Sequence, residues 1–219
     1  MRIFWLFLSL LATVEGLDTI GRVVAVEGEL TAVNQNTKRN LSLNSDVYLG
    51  DLLLTGESST GQVQFTDGML ILLIPGSAYS VDTYSKSLIS SKNRFIAKLR
   101  EGGVRVTTGL IAQKNPENFE LNTPNATIGV RGTVFEARVF NGAVFASCST
   151  GVIVLTNQGG TLLLGPAASA QFAMVSSKRS PPQALKTRPD ALDASFFELP
   201  PGGISQEQKT TGASIKKGC

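Results

Sequence analysis

The sequence predicts an all-β protein: one domain of short strands and hairpins, arranged as a β-sandwich or a short β-roll. β-prone runs recur about every 8–12 residues with turn residues between them, a spacing typical of sandwiches and barrels. The dipeptides Asp67-Gly68 and Asn141-Gly142 each separate two such runs. Both suit a type I′ hairpin turn, which needs positive φ at both central positions. The body of the chain shows no convincing helix.

The first 16 residues have the pattern of a secretory signal peptide. Arg2 precedes an apolar run over residues 3–14, which is shorter than the roughly 20 residues that a transmembrane helix needs. Val14 and Gly16 offer small residues to a signal peptidase. The alternative is a buried N-terminal strand. We therefore expect cleavage near Gly16, and a mature protein without a transmembrane segment that is periplasmic or secreted.

Residues 17–177 form the predicted domain and carry the strand signals in sequence. The main β-prone runs are residues 22–26, 29–33, 62–66, 69–74, 134–140, 143–146, 152–156 and 161–164. Residues 69–74 are continuously apolar, as expected of a strand that is buried on both faces. This domain has 12 Lys+Arg and 12 Asp+Glu, and is therefore neutral. Nucleic-acid binding, which needs a basic face on the domain, is not indicated.

Residues 178–219 change in composition and predict a disordered tail. The tail has 7 basic and 4 acidic residues and contains Pro-Pro and Gly-Gly pairs. One part, residues 190–199, has the pattern of a short helix with Leu192, Phe196 and Leu199 on one face. This face either docks on its own domain or anchors another protein. Because the strand signals end near Val175, we expect the tail to be dispensable for the fold.

The residue types available for catalysis are few. The chain has no histidine, which removes the commonest general base and the commonest transition-metal ligand. Asp51 follows a glycine and is expected to close a turn with its own backbone. Cys148 is expected to be a buried free thiol, although export would permit a disulfide with Cys219. We therefore expect no catalytic, metal or cofactor site.

The most distinctive segment, residues 123–136, reads T-P-N-A-T-I-G-V-R-G-T-V-F-E. Pro124 favours an extended conformation at Thr123. Gly129 and Gly132 flank Arg131, and isolated glycines in a strand pattern predict a bulge or the close approach of another backbone. Arg131 either ties down neighbouring carbonyl groups or a carboxylate, or it helps to bind a partner.

This segment resembles the T-P-x-A-x-x-G-V-R-G-T-x-F run of the FecR domain family. The resemblance extends from about Ile20 to Val175 and includes the G-D-x-x-x-T-G corner at residues 50–56. It implies that a set of matching residues fixes the fold or binds a partner: Thr123, Pro124, Gly129, Arg131, Gly132, Thr133, Phe135, Gly50 and Asp51.

FecR-type proteins are best known as bacterial signal transducers. Their periplasmic FecR domain reads an outer-membrane transporter, and a cytoplasmic segment controls a sigma factor. Here a signal peptide stands where the cytoplasmic segment and the transmembrane helix are expected. The resemblance therefore implies an extracytoplasmic protein-binding module for an envelope protein partner, with signal transduction as one role open to it. The alternative is a structural or carbohydrate-associated envelope protein.

Overall fold

A computed structural model describes residues 18–86 and 92–204. The predicted signal peptide lies outside the described residues, and so do residues 205–219 of the predicted tail. The strands are β1 (Thr19–Glu27), β2 (Leu30–Asn34), β3 (Thr37–Leu41), β4 (Asp46–Tyr48), β5 (Leu52–Thr55), β6 (Thr60–Phe65), β7 (Leu70–Leu73), β8 (Ala78–Ser85), β9 (Arg94–Thr107), β10 (Phe119–Asn122), β11 (Thr127–Phe140), β12 (Ala143–Asn157), β13 (Gly160–Leu164), β14 (Phe172–Val175) and β15 (Gln183–Leu185). The helical elements are α1 (Leu110–Lys114) and 3₁₀ turns at Pro116–Asn118, Asp190–Leu192 and Ala194–Phe197.

The all-β prediction is confirmed, and the strands form one continuous hydrogen-bonded sheet that folds into two layers. The first layer has the order β4-β1-β6-β7-β9-β11-β12-β14-β15. The second layer has the order β3-β2-β5-β8-β9-β10-β11-β12-β13. Strands β9, β11 and β12 have 14, 14 and 15 residues and are long enough to take part in both layers.

The three long strands bend at glycines with positive φ, a conformation that residues with a Cβ rarely adopt. The φ values are +66° at Gly102 in β9, +59° at Gly132 in β11 and +74° at Gly151 in β12. The pairing of β11 with β12 shifts register between Arg131 and Val134, next to Gly132. The bulge predicted for the arginine segment is therefore present, and it lies where the sheet turns from one layer to the other.

The core lies between the two layers. Its centre is a row of aromatic rings contributed by different strands, in which Phe95 stacks on Phe119 with ring centroids 5.2 Å apart. Phe65 packs edge-on against Phe95 at 5.4 Å, and Phe135 packs edge-on against Phe119 at 6.4 Å. Such edge-on and offset arrangements are favoured by the ring quadrupoles. These contacts join strands that are far apart in the sequence.

Both predicted hairpins form, but with different turns. Asn141 and Gly142 have φ of 49° and 75°, as the predicted type I′ turn between β11 and β12 requires. At the β6–β7 turn only Gly68 has positive φ, at 89°. Asp67 does not have positive φ, and Gly68 N donates to Phe65 O at 3.0 Å. The Asp67 carboxylate accepts hydrogen bonds from Met69 N at 3.1 Å and Ile111 N at 3.2 Å. This turn is therefore a type I turn with a glycine bulge rather than type I′.

Residues 178–204 differ from the disordered tail that composition predicts. Strand β15 pairs with β14, and the chain then crosses the outer face of the first layer. Leu192 and Phe197 are 0% and 2% exposed and pack against Leu72 and Ile74 of that layer. We call residues 183–204 the C-terminal strap. Residues 69–74 are buried on both faces, as predicted, because the strap covers the side that faces away from the core.

The short helix predicted near residues 190–199 is present as two 3₁₀ turns that dock on the protein's own domain. Of the three residues expected to dock, Leu192 is buried and Phe196 is half-buried, but Leu199 is 44% exposed. Phe197 makes the second buried contact instead. The helical spacing predicted a continuous α-helical face, whereas the tighter 3₁₀ geometry repeats about every three residues and turns different side chains to the sheet.

Candidate functional site

The first part of the arginine segment forms the tight turn between β10 and β11. Thr123 N donates to Ala126 O at 2.9 Å, and the Thr123 hydroxyl donates to the same oxygen at 2.6 Å. Pro124 is exposed at the tip of the turn. Asn125 Nδ2 donates to Gly142 O at 2.7 Å and to Val175 O at 3.1 Å, which ties the turn to the neighbouring hairpin. Thr123 and Pro124 therefore shape a turn.

The last part of the segment enters the core. Thr133 is buried, and its N–H donates to Thr108 Oγ1 at 2.9 Å while its carbonyl accepts from Thr108 N at 3.0 Å. Phe135 is 1% exposed and belongs to the aromatic row. These two residues hold β11 against the end of β9, so their role in this structure is to position the strand.

The Gly50-Asp51 corner is held together by a buried ion pair. Asp51 accepts from Tyr48 N at 2.9 Å, which is the predicted turn closure. It also accepts from Asn34 Nδ2 at 3.0 Å and pairs with Arg39 Nη2 at 2.5 Å, and its side chain is 1% exposed. The sequence did not indicate Arg39, because the arginine lies on β3 and meets Asp51 only after β2 and β3 have paired. Gly50 has φ of +83° and makes the turn possible.

Gly129 lies at the floor of a groove on the outer face of the second layer. The groove has a volume of about 370 Å³ and is lined by Pro116, Glu117, Phe119, Glu120, Thr127, Gly129, Val130, Arg131, Val154 and Thr156. Gly129 does not have positive φ, and a Cβ built on it would have nothing within 4 Å. The close approach that an isolated glycine predicts is therefore absent here, and the missing side chain instead keeps the groove open.

Arg131 stands at one side of this groove, and its side chain is exposed. Within residues 18–86 and 92–204, its guanidinium makes no hydrogen bond or ion pair, whereas Arg39 and Arg188 each pair with a carboxylate. The sequence left two roles open for Arg131. In the described residues its side chain does not bind neighbouring carbonyl groups or a carboxylate, which was the first of them. The guanidinium presents its fork of donors to solvent.

Two carboxylates complete the rim of the groove. Glu120 pairs with Arg94 at 3.4 Å, and Glu117 is exposed. The floor between them and Arg131 is formed by Gly129 and by Val154, its partner in register on β12, while the side chain of Val130 is 4% exposed and belongs to the core. The sequence did not indicate Val154, Thr156 and Glu120 as groove residues, because they belong to other strands and carry no local motif.

The remaining chemistry of the described residues is modest. Cys148 is buried and its Sγ donates to Thr150 O at 3.2 Å; burial raises the pKa of this thiol. Cys219 lies outside the described residues. In the part of the chain that the structure describes, no group of three or more acidic, Cys or His side chains could hold a metal ion. Nor does that part contain a helix with the length and apolar character needed to cross a membrane.

The fold defines the class of this protein as a two-layer all-β domain, with one open sheet face that carries a groove. Residues 51–154 match the model of the FecR protein family. The resemblance to the FecR family seen in the sequence is therefore confirmed over residues 51–154. The match runs from Asp51 to Val154, which is shorter than the extent of about Ile20 to Val175 expected from the sequence.

Two crystal structures of a putative anti-sigma factor from Parabacteroides distasonis are similar to this chain, with 18% sequence identity and TM-scores of 0.47 and 0.48. Each alignment covers 66% of this chain and 62% of that protein, so the chain spans less than two thirds of its length. Similarity at this level supports no inference about function. No curated protein matches the chain.

Proposed function

We propose that this chain is an extracytoplasmic module that binds an envelope protein through the groove beside Arg131. Its role is in signal transduction. The FecR domain supports a regulatory rather than a catalytic role. The predicted signal peptide supports the location.

The observation that carries this proposal is the glycine at the groove floor. Glycine in the middle of a strand costs about 0.5–1 kcal/mol relative to alanine, because its backbone loses more freedom on folding. At Gly132 and Gly151 the positive φ explains why a glycine is present in spite of this cost. At Gly129 neither backbone angle nor crowding does, so the open space itself is the remaining reason for a glycine.

The groove fits a protein side chain better than a sugar. An apolar residue could lie over Gly129 against Val154, while a neighbouring carboxylate of the partner pairs with Arg131. Such charge-assisted, bidentate pairing is where arginine is most effective. Sugar sites often use aromatic platforms, and of the residues that line the groove only Phe119 is aromatic; it is 2% exposed. The carbohydrate-associated alternative therefore receives no support from this surface.

The test compares capture of envelope proteins by three variants of the mature chain. Gly129→Leu fills the groove, and Arg131→Ala removes the free charge. Arg22→Ala is the control: it removes an exposed arginine of the first layer, which pairs with Asp46 at 3.1 Å. We expect all three to melt like the wild type. We expect Arg131→Ala to capture the partner at least about tenfold less well, because a charged contact is worth roughly 1.5–3 kcal/mol. We expect a loss of at least the same size for Gly129→Leu, because the leucine side chain occupies the groove. Binding that survives in both groove variants would refute the proposal.

A further inference from the structure

The outer face of the first layer is only partly covered by the strap. Leu72 of β7 and Ile74, which follows the strand, are covered by Leu192 and Phe197. Leu70 faces the same side, in register with Thr107 of β9, which in turn is in register with Val134 of β11. This row lies beside the covered part of the sheet and forms the floor of a separate cavity.

The strap forms the roof of this cavity. The space has a volume of about 440 Å³, and its lining includes Leu70, Thr107, Val134, Phe197, Leu199 and Ile204. Gln62 closes one side, because its side-chain amide donates to Ile204 O at 2.6 Å and accepts from Ile204 N at 2.8 Å. This size lies within the roughly 300–1,000 Å³ typical of small-molecule sites, which are mostly apolar with a few polar groups.

Two guanidinium groups and one carboxylate meet beside one wall of the cavity. Arg105 lines it, and its Nη1 lies 3.6 Å from Glu136 Oε1, beyond hydrogen-bond distance. Glu136 is already engaged by Arg188 Nη2 at 2.5 Å and by the Ser147 hydroxyl at 2.9 Å. Two guanidinium groups thus share one carboxylate, and the donors of Arg105 remain available. The other charged group in the lining, Glu198, is exposed to solvent on the strap.

We propose that this cavity binds a small amphiphilic carboxylate, such as a medium-chain fatty acid, whose apolar chain lies over Leu70 and Val134 and whose carboxylate pairs with Arg105. The site is in the first layer, on the face opposite to the groove of Gly129, and does not depend on the function proposed for that groove. The ligand would join the strap to the sheet, because it contacts Leu199 and Phe197 above and β7 and β9 below.

Calorimetric titration of the full mature chain with decanoate, below its micelle concentration, tests the proposal. Decanol keeps the apolar chain without the charge, and butyrate keeps the charge with little chain. We expect decanoate to bind at a single site and raise the melting temperature, and butyrate not to bind. Arg105→Gln should weaken decanoate about tenfold and leave decanol unchanged, since only decanoate uses the guanidinium. Arg22→Gln is the matched control and should change neither.

A second variant, Thr107→Phe, fills the cavity from the floor and should abolish binding of both probes. Ala194→Phe fills it from the strap and serves the same purpose if Thr107→Phe fails to fold. Equal loss of decanoate and decanol in Arg105→Gln would contradict the role given to the guanidinium. Absence of decanoate binding to the wild type, or binding that both filling variants retain, would show adventitious adsorption only and overturn the proposal.

Discussion

A chain that ends at Ser177 is expected to lose its cooperative thermal transition, even though the strand signals of the sequence end near Val175. Truncation there removes the whole strap, which includes β15. Leu72 and Ile74, which are 2% and 1% exposed, would then face water on the outer side of the first layer. Burial of a side chain of this size contributes roughly 1.5–3 kcal/mol, and the truncation also removes the buried Leu192 and Phe197.

The loss therefore approaches the entire stability of a typical domain, about 5–15 kcal/mol. Circular dichroism melts of the shortened chain measure it. A second chain, ending at Ile204, keeps every described contact of the strap and should melt like the full-length protein. A cooperative transition in the chain that ends at Ser177, at a temperature near that of the chain that ends at Ile204, would show that the strap adds little to the fold.

Of the glycines at and near the bends of β11 and β12, Gly151 is expected to be the most sensitive to substitution by alanine. A Cβ at this position would lie 2.1 Å from Gly132 O and 2.7 Å from Arg131 O, both on the paired strand. The φ of +74° adds strain for any residue with a side chain. Left-handed backbone costs roughly 1–2 kcal/mol and forced overpacking about 1–3 kcal/mol more. We therefore expect a loss of about 2–5 kcal/mol in the free energy of unfolding, measured in urea.

Two neighbouring glycines provide graded controls for this experiment. Gly132→Ala meets open space but keeps a φ of +59°, so only the backbone strain of roughly 1–2 kcal/mol applies. Gly129→Ala meets neither constraint and should be neutral or slightly stabilising, by up to about 1 kcal/mol. An equal loss at all three positions would contradict the assignment of the layer change to Gly132 and Gly151.

The fold class was predictable because it rests on local signals. Strand spacing, the Asn141-Gly142 turn and the apolar run over residues 69–74 all depend on neighbours in the sequence. The two-layer arrangement is different, because each half of β9 pairs with other strands: residues 94–101 with β8, and residues 102–107 with β7 and β11. Nothing within a single strand specifies that exchange of partners.

The strap was misjudged from composition for a related reason. Its docking depends on a few apolar side chains, Leu192 and Phe197 above all, within a stretch that is otherwise polar and rich in proline. Their burial depends on the outward-facing Leu72 and Ile74. The apolar run over residues 69–74 predicts that both faces of this strand are buried, but it does not indicate which segment covers the outer face. Its polar anchors are equally distant in the sequence, such as Arg188 on Glu136 and Ile204 on Gln62.

The arginine segment shows how far motif reasoning reaches. The sequence singled out Gly129, Arg131 and Gly132 together, but it could not separate their roles. Gly132 shapes the corner, Gly129 opens the groove, and Arg131 is exposed beside it. The distinction depends on φ values and on empty space around the chain, and neither can be read from residue types alone.

Photocrosslinking in the native host tests most directly whether the groove binds a partner. A photoreactive amino acid at Thr156 would stand on the groove wall, and the same group at Thr37 would stand on β3, at the far edge of the second layer. The proposed function predicts a discrete protein adduct from Thr156 that disappears when Gly129→Leu is added, and no such adduct from Thr37. The same adducts from both positions, or an adduct from Thr156 that is insensitive to Gly129→Leu, would contradict it.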